Sequence, residues 1–213
     1  DADTRVSALW QRPADARAAL VLAHGAGAGM AHAFMAAAAD GFAARGIATL
    51  RYQFPFMERG SKRTDAPALA HAAVRAAVDR AHTLDPALPL FAGGKSFGAR
   101  MTSQAQAAAP LPGVRGLVFI GFPLHPAGKP GVARAQHLAA VALPMLFVQG
   151  TRDDLADLTL LQPVVDALAP RAQLAILEGA DHGFHVLARS GGNDARTLAD
   201  LLDRASEWMR ALA

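Results

Sequence analysis

The sequence predicts an α/β protein: a mostly parallel sheet of about six or seven strands with helices on both faces. Three observations predict it. Six short apolar runs of strand length recur along the chain, and segments of helical length and spacing separate them. The length, 213 residues, is enough for one good core and rather short for two. Alternation of this kind buries a parallel sheet between two helical layers. No internal repeat, low-complexity linker or break in composition divides the chain, so a single domain over residues 1–213 is expected.

The elements follow in order. VSALWQ (6–11) alternates enough to add one edge strand, and AALVLA (18–23) and IATLRY (47–52) are apolar strands separated by the helical stretch AHAFMAAAADGFAARG. DAPALAHAAVRAAVDRAHTL is a long helix leading to the strand LPLFAG (88–93), and ARMTSQAQAAA is the helix after it. GLVFIG (116–121), PMLFVQG (144–150) and AQLAILEG (172–179) are the remaining strands, with the short helix ARAQHLAA before the second and LADLTLLQPVVDALA before the third. NDARTLADLLDRASEWMRAL places leucines and Trp208 at helical spacing and closes the chain as an amphipathic helix.

Composition narrows the function classes. Hydrophobic residues at 52% and charged residues at 18% fit a well-buried globular chain. The absence of cysteine removes disulfides, thiolate zinc sites and cysteine nucleophiles. The pI near 9.9 accompanies a net charge of only +3 and singly scattered arginines, with lysine at 62, 95 and 129 alone, so no nucleic-acid partner is expected. No apolar run approaches the ~18 residues that would span a bilayer, and no membrane partner is expected. The start, DADTRVSALWQ, lacks the basic and apolar parts of a secretory signal, although the missing initiator methionine points to upstream trimming; a cytoplasmic location is expected. His24, His125 and His137 form no close ligand set, and neither metal nor cofactor is expected.

GGKSFGAR (93–100) places a serine on the turn between a strand and a helix. A phosphate loop would need G-x-x-x-x-G-K-[ST], and that register puts Pro89, which has no amide hydrogen, at the first glycine. Gly94, Ser96 and Gly98 instead satisfy G-x-S-x-G in the strand-turn-helix context the motif requires. A serine hydroxyl is a weak nucleophile, so a base and an acid to orient it are needed, in the order Ser, Asp or Glu, His, each after a strand. TRDD after PMLFVQG offers Asp153, favoured over Asp154, while Asp154 and Asp157 suit a helix cap. ADHGFH after AQLAILEG offers His182, favoured over His185, which is expected to enter a helix. The glycine loop HGAGAG (24–29) suits an oxyanion site made by the amides of Ala26, with Gly27 as second choice, and Phe97. The competing dinucleotide turn would need glycine where Met30 stands and an acid where Arg51 follows the next strand.

LAHGAGAG, LRYQFPFMERGSKR, AGGKSFGAR, GFPLHPAGKP, QGTRDDL and GADHGF, spanning residues 18–185, together carry a resemblance. The chain resembles the α/β-hydrolases of the small dienelactone-hydrolase-like group, and more narrowly the hydrolase domain of testis-expressed protein 30 and the third subunit of the NSL acetyltransferase complex. The resemblance implies an α/β-hydrolase sheet with Ser96 as nucleophile, Asp153 as acid and His182 as base. Dienelactone hydrolase itself carries cysteine at the nucleophile, so its substrate does not transfer. The expected activity is cleavage of an ester or related acyl bond of a small-molecule substrate; the alternative is a noncatalytic interaction domain on the same fold. Lys95, Arg51, Arg59, Lys62 and Arg63 raise an acidic substrate as a further option, against which stands their ordinary use as anchors or solvated charges. The interval from Phe122 to Leu143 is too short for a cap domain, and Phe54, Phe56 and Met57 either wall the site or anchor their loop to the core.

Overall fold

The computed structural model describes residues 4–187 and 192–213. Seven strands form one sheet: β1 (Ala8–Gln11), β2 (Ala18–Ala23), β3 (Ile47–Tyr52), β4 (Leu90–Lys95), β5 (Val114–Ile120), β6 (Met145–Gly150) and β7 (Ala172–Leu177). Their spatial order is β1-β3-β2-β4-β5-β6-β7. β1 pairs antiparallel with β3 at the edge, and every other pairing is parallel.

Residues of a strand point alternately to opposite faces, and β2 shows what that does here. Ala19, Val21 and Ala23 join the core on one side of the sheet, while Ala18, Leu20 and Leu22 join the core on the other. An all-apolar strand is therefore the requirement of a sheet covered twice. The first core receives Val74 and Val78 from α3 (Pro67–Leu84), Met101 and Ala105 from α4 (Phe97–Ala108), and Leu161 and Val165 from α5 (Leu158–Ala167). The second receives Met35 and Phe42 from α1 (Ala33–Ala43), and Leu202 and Trp208 from α6 (Asp194–Ala211).

Several details depart from the sequence reading. β4 begins two residues later, after Pro89, and runs on past Gly93 through Gly94 to Lys95, because Gly94 too is part of the sheet. ARAQHLAA (133–140) winds as a 3₁₀ helix. A one-turn helix, α2 (Pro55–Glu58), interrupts the loop after β3, with Pro55 at the first helical position, where its missing N–H costs nothing. His185 does not enter a helix: it lies in a turn closed by the Asp181 side chain, which accepts the amides of Gly183 (2.8 Å) and His185 (2.9 Å). The interval between β5 and β6 holds loops and the 3₁₀ helix only, so the sheet carries no cap. Among the described residues, no helix is long and apolar enough to cross a membrane.

Candidate active site

Ser96 stands between the last residue of β4 and the first of α4, with φ 52° and ψ −113°. Positive φ in a non-glycine residue costs of order 1–3 kcal/mol and persists only where the surroundings enforce it. Here both flanking glycines press on one residue of the neighbouring strand: a Cβ on Gly94 would meet the Ala23 carbonyl oxygen at 2.3 Å, and one on Gly98 would meet it at 2.6 Å. Ser96 is tied on both sides, its N–H donating to the Ile120 carbonyl (3.0 Å) and its carbonyl accepting from the Arg100 N–H (3.1 Å). The turn is thus clamped, and its hydroxyl opens onto a cleft of about 280 Å³.

The imidazole of His182 reaches that hydroxyl. Its Nε2 lies 2.8 Å from Ser96 Oγ and its Nδ1 lies 2.7 Å from Asp153 Oδ2. The turn that carries His182 is held by Asp181 and by the left-handed backbone of Phe184 (φ 66°), whose ring is buried. Gly121, also at positive φ (65°), lies against the imidazole, where an added Cβ would sit 3.4 Å from His182 Cε1.

Asp153 is buried in the loop after β6 and accepts more than the histidine. Oδ1 takes the Leu155 N–H (2.8 Å), and Oδ2 takes a short hydrogen bond from Gln149 Nε2. Gln149 Oε1 in turn accepts the Phe122 N–H (2.9 Å), so a fully buried amide joins Asp153 to the loop after β5. Asp154 is exposed, and Asp157 caps α5 by accepting the Thr159 N–H (2.8 Å). The three carboxylates of this loop therefore have separate positions, and Asp153 alone of them meets His182.

The glycine loop after β2 lines the same cleft as Ser96, with Ala26 and Gly27 exposed on it. Phe97 is the first residue of α4, so its amide is among those at a helix start that lack an intrahelical acceptor. His24 fixes the loop from beneath: Nδ1 donates to the Gly25 carbonyl (2.7 Å) and Nε2 accepts the Phe54 N–H (2.9 Å). That pairing requires the neutral ring, and burial holds its pKa below the ordinary histidine value. Gln53 adds a second tie by accepting the Met30 N–H (2.8 Å).

Phe54 and Phe56 are fully buried around His24 and Phe97, so they anchor their loop and do not wall the cleft. The apolar wall is instead Phe34, Met35 and Leu155. Of the basic residues named for an acidic substrate, Arg51 is buried and bonds the Met30 carbonyl, Arg59 pairs with Asp65 at 2.6 Å, and Lys62 and Arg63 are exposed on the loop after α2. Lys95 donates to the His182 carbonyl (2.6 Å). His125 accepts the Asp157 N–H (2.9 Å), and His137 meets Ser103 Oγ at 2.8 Å, with burial and then nearby Arg100 pushing its pKa down to about 4. Among the described residues no group of three or more metal-ligating side chains comes together.

This arrangement is able to move a proton from a serine hydroxyl to an imidazole whose other nitrogen is held by a buried carboxylate. Sequence reasoning missed Gln149 and the Leu155 amide, and it named Lys95 without its contact to His182. Gln149 had a visible signal, a polar residue inside an otherwise apolar strand.

Comparison with known proteins places the chain among them. A family model described as an alpha/beta hydrolase domain matches residues 16–210. Dienelactone hydrolase from Anabaena variabilis is similar in structure, with a TM-score of 0.76 at 20% identity over 99% of this chain and 93% of that one. Est1E from Butyrivibrio proteoclasticus, solved with ferulic acid bound, gives a TM-score of 0.76 at 15% identity over 97% and 95%. A serine hydrolase without a lid from Xanthomonas campestris gives 0.73 at 20% identity over 97% and 88%. At these identities the likeness speaks for the fold.

Proposed function

The chain belongs to the alpha/beta hydrolase domain family, and from that premise we propose that it is a serine hydrolase cleaving small-molecule esters or related acyl compounds, with Ser96, His182 and Asp153 as its catalytic residues. The observation that carries the proposal is the continuous hydrogen-bonded line from Ser96 Oγ through both ring nitrogens of His182 to Asp153. In this reading Ser96 Oγ attacks the acyl carbon as its proton passes to His182 Nε2, and Asp153 holds the Nδ1 proton and stabilises the imidazolium. The developing oxyanion is received by the amides of Ala26 and Phe97. Collapse expels the alcohol, which takes the proton from His182, and leaves an acyl-enzyme. Water, deprotonated by His182, then releases the acid and restores Ser96. Every proton is accounted for by these residues, and the cycle calls for no cofactor.

Within the family we group the chain with testis-expressed protein 30 and the third NSL subunit on LRYQFPFMERGSKR, GFPLHPAGKP and QGTRDDL. That group includes proteins acting as subunits of complexes, so a noncatalytic interaction domain is the competing reading. A fluorophosphonate probe separates the two. An activated Ser96 becomes covalently labelled, and Ser96→Ala abolishes labelling and lowers turnover by about a million-fold. Folded protein that stays unlabelled by several such probes would reject the hydrolase.

A further inference from the structure

Lys95 immediately precedes the nucleophile, yet its amine is turned to the base. Nζ donates to the main-chain carbonyl of His182 at 2.6 Å, from a position 4.8 Å from the Phe34 ring centroid and 4.7 Å from that of Phe184. The two rings stack on one another at 5.9 Å. Neighbouring residues of one strand end thus grip one histidine at two points: Ser96 Oγ meets its ring and Lys95 Nζ meets its backbone.

We propose that Lys95 is a positioning residue for the base, its ammonium group docking the His182 turn onto the strand that carries Ser96. The inference rests on the hydrolase reading above. The charged groups around the amine are Asp153 on the acid loop and Asp181 and His185 on the base turn, while α1 contributes Phe34 and the loop before it His32. The two carboxylates favour the cation, and so do the two ring faces. Burial outweighs them and pushes the amine down to about 8. Below that pH the bond to the His182 carbonyl is charge-assisted; above it the amine still has N–H groups, but loses the charge that strengthens the bond and the ring contacts. The charge is spent inside the protein, so the same contacts argue against its use on an acidic substrate.

The consequence is a falling alkaline limb in activity that belongs to Lys95. The test is the pH dependence of fluorophosphonate labelling in wild type, Lys95→Met, Lys95→Gln and Lys95→Arg. Labelling of the wild type is expected to slow as pH rises through about 8. Lys95→Met and Lys95→Gln should label about a hundred-fold more slowly at neutral pH, the scale of a small misplacement of a reacting group, and should lack the falling limb. Lys95→Arg, charged at every pH used, should recover part of the rate and also lack that limb. If wild type labels and the substitutions leave its rate and alkaline limb unchanged, the positioning role is overturned while the hydrolase stands. If wild type does not label at all, both fall together. Should Lys95→Met fail to fold, the limb in wild type and its loss in Lys95→Gln and Lys95→Arg decide the matter.

Discussion

Asp153 is held by three donors, His182, Gln149 and the Leu155 amide, and this fixes what each neighbouring carboxylate is worth. Asp153→Asn removes the acceptor that selects the Nδ1–H tautomer and should lower turnover by about ten-thousand-fold. Asp154→Asn changes one exposed group and should leave turnover within about two-fold, since surface substitutions away from special contacts move stability by less than about 0.5 kcal/mol. Steady-state kinetics on the pair checks the assignment, and an inactive Asp154→Asn would overturn it. The meeting of the Ser96, Asp153 and His182 side chains was legible in the sequence because each is a chemically distinctive residue just past a strand. The direction of Lys95 was not, since a four-carbon stem reaches solvent, substrate or a backbone carbonyl from the same Cα. Only its surroundings, Phe34 from α1 and Phe184 from the base turn, decide among these.

At the scale of elements, the serine turn depends on how closely β4 and α4 approach the end of β2. Ala23 receives both glycines of the motif, so a methyl group at either position must displace backbone, not a flexible side chain. Gly98→Ala should therefore destabilise by at least the ~1–3 kcal/mol typical of overpacking, and the fraction that folds should carry a displaced Ser96 and label slowly. Chemical denaturation with labelling kinetics on the same samples tests both effects, and a fully stable, fully labelled Gly98→Ala would reject the clamp. Legibility of the elements follows the same contacts. AALVLA and IATLRY were read to the residue because apolar character starts and stops at their ends. The end of β4 was placed at Gly93, two residues early, because Gly94 opens the serine motif and looks like a turn, whereas both glycines are glycines of necessity: at Gly93 an added Cβ would fall 1.9 Å from the Val118 carbonyl oxygen of β5. The 3₁₀ winding at Ala133–Ala140 and the single turn of α2 depend on packing that helical spacing alone does not encode.

For the whole molecule, parallel pairing and two helical layers were legible from alternation, but the strand order was not: β3 lies outside β2, and β4 on its other side, through long-range pairing that local pattern does not carry. The order matters for function because it sets β2, β4, β5, β6 and β7 side by side, so their carboxyl-end loops surround one open edge with no cap over it. Cover for an acyl chain is limited to Phe34, Met35 and Leu155 around a cleft of about 280 Å³. Each methylene removed from water is worth ~0.8 kcal/mol, or about four-fold in specificity constant, for as long as the wall continues. Once the chain passes that wall it emerges into water and further methylenes contribute nothing. Nitrophenyl esters from acetate to palmitate should accordingly show kcat/KM rising over the first few carbons and then levelling or falling, with no jump in rate where the longer esters form micelles, because the site has no cap for an interface to open. Specificity constants that keep climbing into the long chains, or a sharp rise at the micellar threshold, would mean that some cover forms over this edge that the fold of the free chain does not contain.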